Sequence, residues 1–519
     1  MRLSYKKTVI VSLAALLWGT NGLAMAAGEK APLVNQSGQI MQTISTLAGN
    51  PFVSLGMPTG LTLGTDGTLY IANAADHNVI RLKNGVSSVL AGSASSVFPD
   101  GGLLDGSKDE ALFHSPSAVA SGPDGSLYVA DSANNAIRQI TPAGKVVTLA
   151  GNGIIGSKDG RGSGASFYDP EGIAVSKAGV VYVADTLNHL IRKIDKDGTT
   201  TTLNAAPQRV VEIYPGMVQS AGDYKDGDLS EALFNEPHGL ALDAKGNLYV
   251  SDTGNQTIRY IDFSLNRVTT VAGTIAEGGS VYAIDALYAS GGYRDGKSNN
   301  ALFHSPQGIA LDSAGGLIIA DSLNHSIRYL NNGIVSTLAG NGATNESGMH
   351  DGVETSALFD TPKGVTVAAN GTIYVADTGN RLIRQIVNYA LPTNLPNDKT
   401  IKVFYENKAV PFDAKPVMKK GRVMVPVRAI AEALGYEVKS TDNGQKVVLS
   451  KDKLVIELSI GQTTIRRSVS GTADVIRKTD VAPYVSNNRT YVPLRFFAEE
   501  IGLDVQWQDK QQTAVLRIR

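Results

Sequence analysis

The chain has 519 residues, of which 42% are hydrophobic and 18% charged, and its formal net charge is −1 at pH 7. This balance excludes a wholly disordered protein, and at roughly 150 residues per domain it indicates two to four domains. The 55 glycines and the absence of cysteine favour short strands joined by tight turns, and exclude disulfides, zinc ribbons and thiol catalysis.

The start of the chain has the three parts of a secretory signal peptide. Three cations precede an apolar run over residues 8–18, which is too short for a spanning helix of about 20 residues. Ala24-Met25-Ala26 then supplies a small–x–small cleavage pattern. We predict a signal peptide over 1–26, with an uncleaved anchor as the alternative. The mature chain would begin near Ala27, have no membrane span and be secreted or lie at the cell surface.

Six segments further along share one internal spacing. In each, a proline is followed fifteen positions later by an Asp or Asn that ends a hydrophobic strand. These pairs are Pro58 and Asn73, Pro116 and Asp131, Pro170 and Asp185, Pro237 and Asp252, Pro306 and Asp321, and Pro362 and Asp377. In five copies an arginine lies seven residues after the aspartate: Arg138, Arg192, Arg259, Arg328 and Arg384. The first copy deviates, because Arg81 comes eight residues after Asn73.

The same five copies share two further positions. Asp-Gly occurs eleven residues before the proline, beginning at Asp105, Asp159, Asp226, Asp295 and Asp351. A phenylalanine lies three residues before the same proline: Phe113, Phe167, Phe234, Phe303 and Phe359. Within a copy, short hydrophobic runs alternate with Gly-containing turns, which predicts four antiparallel strands.

Such a small sheet cannot bury both of its faces alone, so the copies should pack face to face around an axis. We therefore predict a mainly β fold, with a six-bladed β-propeller over 40–386 followed by a small α+β domain made of two similar halves. The sixth copy ends after its third strand, whereas an extra strand precedes the first copy. We expect this strand, 43–48, to complete the last blade and leave no sheet edge open.

The copies resemble NHL repeats, and the third contains the literal Asn188-His189-Leu190. The resemblance covers roughly residues 40–390 and implies a propeller. Its implications for function are broader, because relatives include binding scaffolds, a zinc-dependent lyase and calcium-dependent hydrolases.

Residues 387–400 contain two prolines and no periodicity, which predicts a linker. In the domain predicted over 401–519, residues 424–435 and 491–502 repeat one pattern: a short strand, then a helix that begins after a proline and ends at a glycine. This pattern resembles the copper amine oxidase-like N-terminal domain, also called the stalk domain. Residues 391–519 contain no histidine or cysteine, so copper is not expected, and the resemblance implies a structural or attachment role.

Charge divides along the same boundary. Residues 399–519 contain 21 Lys and Arg against 13 Asp and Glu, a net charge of +8, whereas the rest of the chain has a net charge of −9. A basic module on an acidic ring predicts docking to an anionic polymer such as wall phosphates. The alternative is that surface charge only keeps the two modules soluble. Nucleic acid is not an expected partner.

The repeated charged residues have two interpretations. One is a ring of metal or substrate ligands. The other, which we favour, is a polar link between strands, because a catalytic site needs broken symmetry. The pairs are Asp131 with Arg138, Asp185 with Arg192, Asp252 with Arg259, Asp321 with Arg328, and Asp377 with Arg384. We likewise expect the Asp-Gly carboxylates to cap loops, with calcium binding as the alternative.

Function should lie where the copies differ. The residue after each proline begins an inner strand and should face the axial channel: Thr59, Ser117, Glu171, His238, Gln307 and Lys363. Long insertions before the Asp-Gly of copies four and five add five tyrosines, which predict a binding face: Tyr214, Tyr224, Tyr282, Tyr288 and Tyr293. The alternative for these rings is packing of the loops onto the ring. His77, His189 and His325 share one repeat position, where we expect outward exposure.

The sequence thus predicts an exported, monomeric cell-envelope scaffold. Its propeller would recognise an envelope protein or polysaccharide, and its basic C-terminal domain would attach to the cell wall. No cofactor, catalytic residue or metal ligand is predicted, with calcium left open and copper not expected. The alternative function is a calcium- or zinc-dependent propeller hydrolase or lyase acting in the axial channel.

Overall fold

The structure is a computed structural model that describes residues 33, 41–49, 55–93, 101–274, 281–392, 395–396, 398–405 and 408–519. The predicted signal peptide over 1–26 lies outside these residues.

Six small antiparallel sheets occupy the chain up to residue 388. Strand β1 (Gln42–Ala48) precedes the first sheet, which consists of β2 (Pro58–Leu63), β3 (Leu69–Asn73), β4 (Asn78–Lys83) and β5 (Val86–Gly92). The second sheet consists of β6 (Gly106–Ser107), β7 (Pro116–Ser121), β8 (Leu127–Asp131), β9 (Ala136–Ile140) and β10 (Lys145–Ala150). The third consists of β11 (Gly160–Arg161), β12 (Pro170–Val175), β13 (Val181–Asp185), β14 (Leu190–Ile194) and β15 (Thr199–Thr202).

A separate hairpin, β16 (Val210–Tyr214) and β17 (Met217–Ser220), precedes the fourth sheet. That sheet consists of β18 (Gly227–Asp228), β19 (Pro237–Leu242), β20 (Leu248–Asp252), β21 (Thr257–Asp262) and β22 (Arg267–Ala272). The fifth consists of β23 (Gly296–Lys297), β24 (Pro306–Leu311), β25 (Leu317–Asp321), β26 (Ser326–Asn331) and β27 (Ile334–Ala339). The sixth combines β28 (Pro362–Val367), β29 (Ile373–Asp377) and β30 (Leu382–Asn388) with β1.

The Asp-Gly segments add an outer element to the expected four strands. In sheets two to five, the glycine of the Asp-Gly pair begins a two-residue strand. This short strand pairs with the fourth strand of its copy. In the sixth sheet a single bridge between Ile44 and Gly352 takes this place. The Asp-Gly segment is therefore part of each of these sheets.

The six sheets form a closed ring. Their innermost strands β2, β7, β12, β19, β24 and β28 contact one another in that order, and β28 returns to β2. Strand β1 pairs antiparallel with β30, with Ile44 opposite Ile386, so the two ends of the propeller share one sheet. The mainly β, six-bladed fold class predicted from the spacing is the one observed.

Hydroxyl side chains link each sheet to the next. In five copies a Ser or Thr directly follows the aspartate that ends the second long strand. Its hydroxyl donates a hydrogen bond to the carbonyl of the proline that begins the next sheet. The pairs are Ser132 with Pro170, Thr186 with Pro237, Thr253 with Pro306, Ser322 with Pro362, and Thr378 with Pro58. Ala74 stands at this position in the first copy, and the Thr59 hydroxyl lies 3.3 Å from the Pro116 carbonyl instead.

Apolar side chains fill the space between neighbouring sheets and form six separate cores. The repeated phenylalanines lie at the centre of five of them: Phe113, Phe167, Phe234, Phe303 and Phe359. Leu55 takes the corresponding place between the sixth and first sheets. Burial of this apolar surface is the main favourable contribution to the free energy of folding.

The conserved arginines are fully buried and bind charges from two parts of their copy. Arg192 donates from Nη1 to Asp185 at 2.5 Å and from Nη2 to the Asp-Gly residue Asp159 at 2.8 Å. It also donates to the Ser166 and Lys158 carbonyls, and its guanidinium lies 5.0 Å from the centre of the Phe167 ring. Burial raises the pKa of Asp185 to about 6, and the charge of Arg192 acts against this shift.

The same link occurs around Arg138, Arg259, Arg328 and Arg384. In these five copies the carboxylate of the strand aspartate also accepts from a backbone N–H and from an asparagine amide, as Asp185 does from Tyr168 and Asn188. The repeated Asp and Arg therefore satisfy one another inside each sheet.

The first sheet replaces this link with neutral groups. Asn73 stands at the aspartate position and donates to Asp76 and Asn78 through its amide. Ile80, seven residues later, is buried in the same core as Leu55. The guanidinium of Arg81 points outward and binds the Ser88 hydroxyl.

The C-terminal domain contains three sheets and two short helices. Its elements are β31 (Lys402–Tyr405), β32 (Lys408–Ala409), β33 (Val417–Lys419), β34 (Arg422–Pro426), α1 (Val427–Ala433), β35 (Glu437–Thr441), β36 (Lys446–Lys451), β37 (Leu454–Ser459), β38 (Thr464–Val469), β39 (Val475–Lys478), β40 (Tyr484–Ser486), β41 (Arg489–Pro493), α2 (Leu494–Glu500), β42 (Leu503–Gln508) and β43 (Thr513–Ile518). The sheet orders are β32-β31-β43-β42, β33-β34-β41-β40 and β35-β36-β37-β38-β39. Both helices follow a proline and bury one apolar face in a common core, as expected for two similar α+β halves.

Ten single-turn 3-10 helices complete the secondary structure of the described residues: Ala74–Asp76, Ser132–Asn134, Gly162–Gly164, Thr186–Asn188, Leu229–Glu231, Thr253–Asn255, Ser298–Asn300, Ser322–Asn324, Glu354–Ser356 and Asp442–Gly444. Within the ranges that the structure covers, no helix is both long and apolar enough to span a membrane.

The predicted linker contributes to a joint between the two domains. Tyr389 and Leu391 are buried with Met41 of the propeller and with Phe404 and Val515 of the C-terminal domain. Residues 387 and 388 still belong to β30. This part of the predicted linker is therefore packed against both domains.

A buried ion triad lies at the same joint. Arg517, whose side chain is 3% exposed, donates to Glu354 of the propeller at 2.7 Å and to Asp504 at 2.6 Å. It also donates to the Gln42 carbonyl at the start of β1. The C-terminal domain thus contacts the sheet that closes the ring.

Replacing Arg192 by Met should remove the counter-ion of Asp185 while keeping the apolar stem. A buried carboxylate without its partner is costly, and we expect the free energy of unfolding to fall by about 3–5 kcal/mol. Urea titration followed by circular dichroism measures the loss. The matched control Arg81→Met removes an exposed guanidinium and should change stability by less than about 0.5 kcal/mol.

The double variant Asp185→Asn/Arg192→Ile copies the neutral pair Asn73 and Ile80 of the first sheet. It leaves no unpaired charge at the Asp185 position, so it should be more stable than Arg192→Met alone. A double variant that is as unstable as the single one would contradict the charge argument.

Candidate functional site

The side chains predicted to face the channel do converge at the axis of the ring. Five of them line one cavity between the innermost strands: Thr59, Ser117, Glu171, His238 and Lys363. Gln307 lies on the corresponding strand β24, and its carbonyl accepts a hydrogen bond from the Ser251 hydroxyl. The six positions are equivalent by repeat, so their different side chains break the symmetry of the ring.

Two hydroxyls of this set take part in the architecture. The Thr59 hydroxyl lies within hydrogen-bond distance of the Ala72 and Pro116 carbonyls. The Ser117 hydroxyl lies close to the Pro170 and Glu171 carbonyls. These two residues join neighbouring sheets.

Charged and titratable groups occupy the other side of the cavity. His238 Nε2 lies 3.4 Å from Glu171 Oε2. Burial lowers the pKa of His238 to about 3, and the positive charge of Lys363 acts in the same direction. Burial raises the pKa of Glu171, whereas Lys363 lowers it. His238 is therefore neutral at pH 7, and among the described residues neither its Nδ1 nor Gln307 Oε1 has a hydrogen-bond partner.

Two more carboxylates surround one end of this channel. Asp169 and Glu236 precede the prolines of the third and fourth sheets, and both have a positive φ. Burial raises the pKa of Asp169 to about 6, and the nearby charge of Glu171 adds to the shift. Burial also raises the pKa of Glu236, against the hydrogen bond from Tyr288. We call this end of the channel the acidic mouth.

The cavity itself is small, at about 70 Å³. Sites for small molecules measure about 300–1,000 Å³, so the described cavity is small by comparison. The structure contains, within its described ranges, no group of three or more Asp, Glu, His or Cys arranged to hold a metal ion.

Two of the five insertion tyrosines pack inside the ring. The Tyr224 ring lies 4.6 Å from the Arg259 guanidinium, on the arginine that also contacts Phe234, and its hydroxyl is 2.8 Å from the Thr270 hydroxyl. Tyr293 has the same arrangement with Arg328 and Thr337. For Tyr224 and Tyr293, the structure therefore shows the alternative interpretation, in which the tyrosine packs its loop onto the propeller.

Tyr282 holds the two insertions together. The Arg209 guanidinium lies 3.6 Å from the centre of its ring and donates to the Ala286 and Leu287 carbonyls. The Tyr282 hydroxyl donates to Asn255 of the propeller. This tyrosine therefore has a structural role, and only Tyr214 and Tyr288 of the predicted binding face are exposed.

The two insertions present apolar side chains to solvent beside the acidic mouth. Tyr214 is 69% exposed on the β16–β17 hairpin, and Tyr288 is 45% exposed while its hydroxyl donates to Glu236. We define the insertion surface as these two tyrosines with four exposed aliphatic residues, Val210, Met217, Val218 and Ile284. Sequence reasoning singled out the tyrosines and missed these aliphatic residues, three of which lie on β16 and β17.

The three histidines at one repeat position lie between sheets, which corrects the expectation of outward exposure. His189 is 6% exposed, and its Nδ1 accepts the backbone N–H of Glu236 in the next sheet at 3.1 Å. His77 and His325 accept from Ser115 and Thr361 in the same way. Asn135 and Gln256 do so through side-chain oxygens in the second and fourth copies, whereas the sixth copy has Arg381 at this position. A polar acceptor at this position in five of the six copies was the signal available in the sequence.

Comparison with known families matches both parts of the chain. Residues 167–194, 234–259, 303–328 and 359–386 match the NHL repeat, and residues 86–151 match the Teneurin NHL domain. Residues 404–516 match the Copper amine oxidase N-terminal domain. The chain is an NHL β-propeller with a C-terminal copper amine oxidase N-terminal domain.

Curated relatives match part of the chain at moderate identity. Protein SUPPRESSOR OF QUENCHING 1, chloroplastic, from Arabidopsis thaliana is 29% identical over 303 residues, which cover 55% of this chain and 26% of that protein. Human NHL repeat-containing protein 2 is 28% identical over 340 residues, covering 61% of this chain and 44% of that protein. The chain thus spans less than half the length of either relative.

Among solved structures, an auxiliary nutrient binding protein from Bacteroides thetaiotaomicron aligns with a TM-score of 0.46 at 16% identity. The alignment covers 69% of this chain and 82% of that one.

The NHL propeller should lose stability in acid partly through His189. Burial lowers the pKa of His189 to about 4, below the value of about 6.5 expected in the unfolded chain. The contribution of His189 to stability is therefore complete above pH 6.5 and is lost as the pH falls towards 4.

The variant His189→Gln keeps a hydrogen-bond acceptor, as Gln256 does in the fourth copy, but it does not titrate. Between pH 7.5 and 4.5 it should lose about 2–3 kcal/mol less than the wild type in urea titrations. Equal acid losses would contradict this role.

Removing Tyr282 should cost more stability than removing Tyr288, the other aromatic residue of the 281–290 segment. Tyr282→Ala removes the ring under Arg209 and the bond to Asn255, so we expect a loss of about 2 kcal/mol and a lower melting temperature. Tyr288→Ala removes an exposed ring and should cost less than about 0.5 kcal/mol. Thermal melts followed by circular dichroism measure both, and equal losses would contradict this division.

Proposed function

We propose that this chain is an exported scaffold of the cell envelope. Its propeller binds an envelope protein through the insertion surface, and its basic C-terminal domain attaches to the cell wall. The NHL repeats and the teneurin-type match favour a protein-binding or scaffold role. The signal-peptide pattern in residues 1–26 supports export.

The insertion surface is the observation that carries the proposal. The repeated charged residues are engaged inside the sheets, and the axial cavity is small. The two insertions, in contrast, expose apolar side chains to solvent, and Arg209 ties the insertions to each other. Clustered exposed apolar residues with tyrosines beside a polar rim are typical of protein-binding surfaces.

The C-terminal domain supports attachment through its charge. Its net charge of +8 contrasts with the acidic remainder of the chain, and an anionic wall polymer would attract it. Because such attraction is screened by salt, wall binding should weaken as ionic strength rises.

Capture from a solubilised envelope fraction tests the recognition half. The triple variant Tyr214→Ser/Met217→Ser/Val218→Ser should lose at least about tenfold of the captured partner, because central apolar contacts dominate such interfaces. The control Val86→Ser/Leu265→Ser removes similarly exposed aliphatic side chains elsewhere on the propeller and should capture as the wild type does. Equal capture by the triple variant would refute the insertion surface as the binding site.

Sedimentation of the whole chain with purified cell walls tests attachment separately. We expect the protein to sediment with walls at low salt and to be released at high salt. A chain that stays in the supernatant at low salt would remove the attachment half and leave the recognition half standing.

A further inference from the structure

The C-terminal domain contains a groove of about 510 Å³, which falls in the usual range for ligand sites. Its lining comes from helix α2, from strands β33, β34, β39, β41, β42 and β43, and from the residues that follow β39. Trp507 and Phe496 provide aromatic surface, and Arg422, Lys478 and Arg495 provide positive charge. We call it the aromatic–basic groove.

The positive charges of this groove are largely available to a ligand. Arg422 pairs with Asp480 at 2.6 Å, and both side chains are about half exposed. Lys478 and Arg495 are exposed and form no ion pair with any residue that the structure describes. Arg495 has a single long contact, 3.5 Å, to the Val505 carbonyl. Two cations therefore remain for an anionic group.

The groove opens away from the propeller. Side chains alternate between the two faces of the β42–β43 hairpin, as in any strand pair. Asp504, Val515 and Arg517 take part in the joint with the ring. Val505, Trp507 and Ala514 lie at alternate positions and line the groove. Docking of the two domains therefore leaves the groove accessible.

The lining selects a class of ligand. Flat aromatic surface packs against sugar rings, guanidinium and ammonium groups bind phosphate or carboxylate, and carboxylates accept hydrogen bonds from hydroxyls. Asp480 and Glu499 provide the carboxylates in this groove. A purely apolar peptide would leave Lys478 and Arg495 without a counter-ion.

We propose that the aromatic–basic groove binds an anionic glycan, meaning a sugar or polyol chain that carries phosphate or carboxylate groups. The proposal deepens the attachment half of the proposed function and rests on it for its biological setting. It assigns wall binding to one groove, whereas the net charge alone would spread binding over the whole domain.

The sequence offers a direct probe of this groove. The chain has two tryptophans, Trp18 in the predicted signal peptide and Trp507 in the groove. A protein that begins at Ala27 therefore has Trp507 as its single tryptophan, so its emission reports on the groove alone.

Fluorescence titration of this protein uses three probes. Soluble poly(glycerol phosphate) supplies phosphates, muropeptides from phosphate-stripped walls supply carboxylates, and chitohexaose is a neutral glycan. We expect a saturable change in Trp507 emission with at least one anionic probe, which also identifies the anion, and a much weaker response to chitohexaose. No saturable change with either anionic probe, or an equal response to chitohexaose, would overturn the proposal.

Two charge-matched variants separate the groove from general attraction. Lys478→Gln/Arg495→Gln should weaken the apparent affinity by about tenfold or more, because it removes the cations that meet the anion. Lys439→Gln/Lys453→Gln removes the same charge from exposed positions outside the groove and should change affinity by less than about twofold. Equal weakening by both variants would indicate binding by net charge and overturn the groove assignment.

The two halves of the experiment fail independently. If the wild type does not sediment with walls but Trp507 emission still responds, wall attachment is wrong and the groove stands. If the wild type and the Lys478→Gln/Arg495→Gln variant sediment with walls equally well, and neither protein shows a change in Trp507 emission, attachment stands and the groove is wrong.

Discussion

The buried ion pair between an aspartate at the end of the second long strand of a blade and an arginine on the next strand is the constraint on which the propeller depends. A buried guanidinium is costly to desolvate, and it is tolerated because two carboxylates, two carbonyls and an aromatic ring surround it, as at Arg192. Those partners come from the strand, the Asp-Gly segment and the loop before the proline. One arginine therefore fixes three separate parts of its copy. This explains why the Asp-Gly, Phe, Asp and Arg positions keep the same spacing in five copies.

In the first sheet the link is replaced as a set. Asn73, Ile80 and Leu55 stand where the other copies have Asp, Arg and Phe, so a neutral amide and two apolar side chains replace a charge pair and its aromatic contact. A single change would leave an unpaired buried charge, whereas the combined change leaves none. This copy also abuts the sixth sheet, which β1 completes. There, Thr46 of β1 donates to Asp351 just as Thr202 donates to Asp159 within the third sheet.

The sequence was sufficient for what repeats and insufficient for what does not. Spacing alone predicted the sheets, the ring and the convergence of residues such as Glu171 and His238, because equivalent positions in a propeller occupy equivalent places. It could not decide between exposure and packing for Tyr282, since that depends on Arg209, which lies 73 positions away in another insertion. It also gave no sign that Arg517, near the end of the chain, would be buried against Glu354.

That joint connects the two halves of the molecule mechanically. Arg517 binds Glu354, and Glu354 in turn accepts the backbone N–H of Gln42, the first residue of the strand that closes the ring. The hairpin that carries Arg517 on one face carries Trp507 on the other. A ligand held at Trp507 is therefore attached, through two strands and one buried charge triad, to the sheet that holds both ends of the propeller. Because truncating one partner of a buried triad is costly, the domains should behave as one body under load rather than as two modules on a flexible tether.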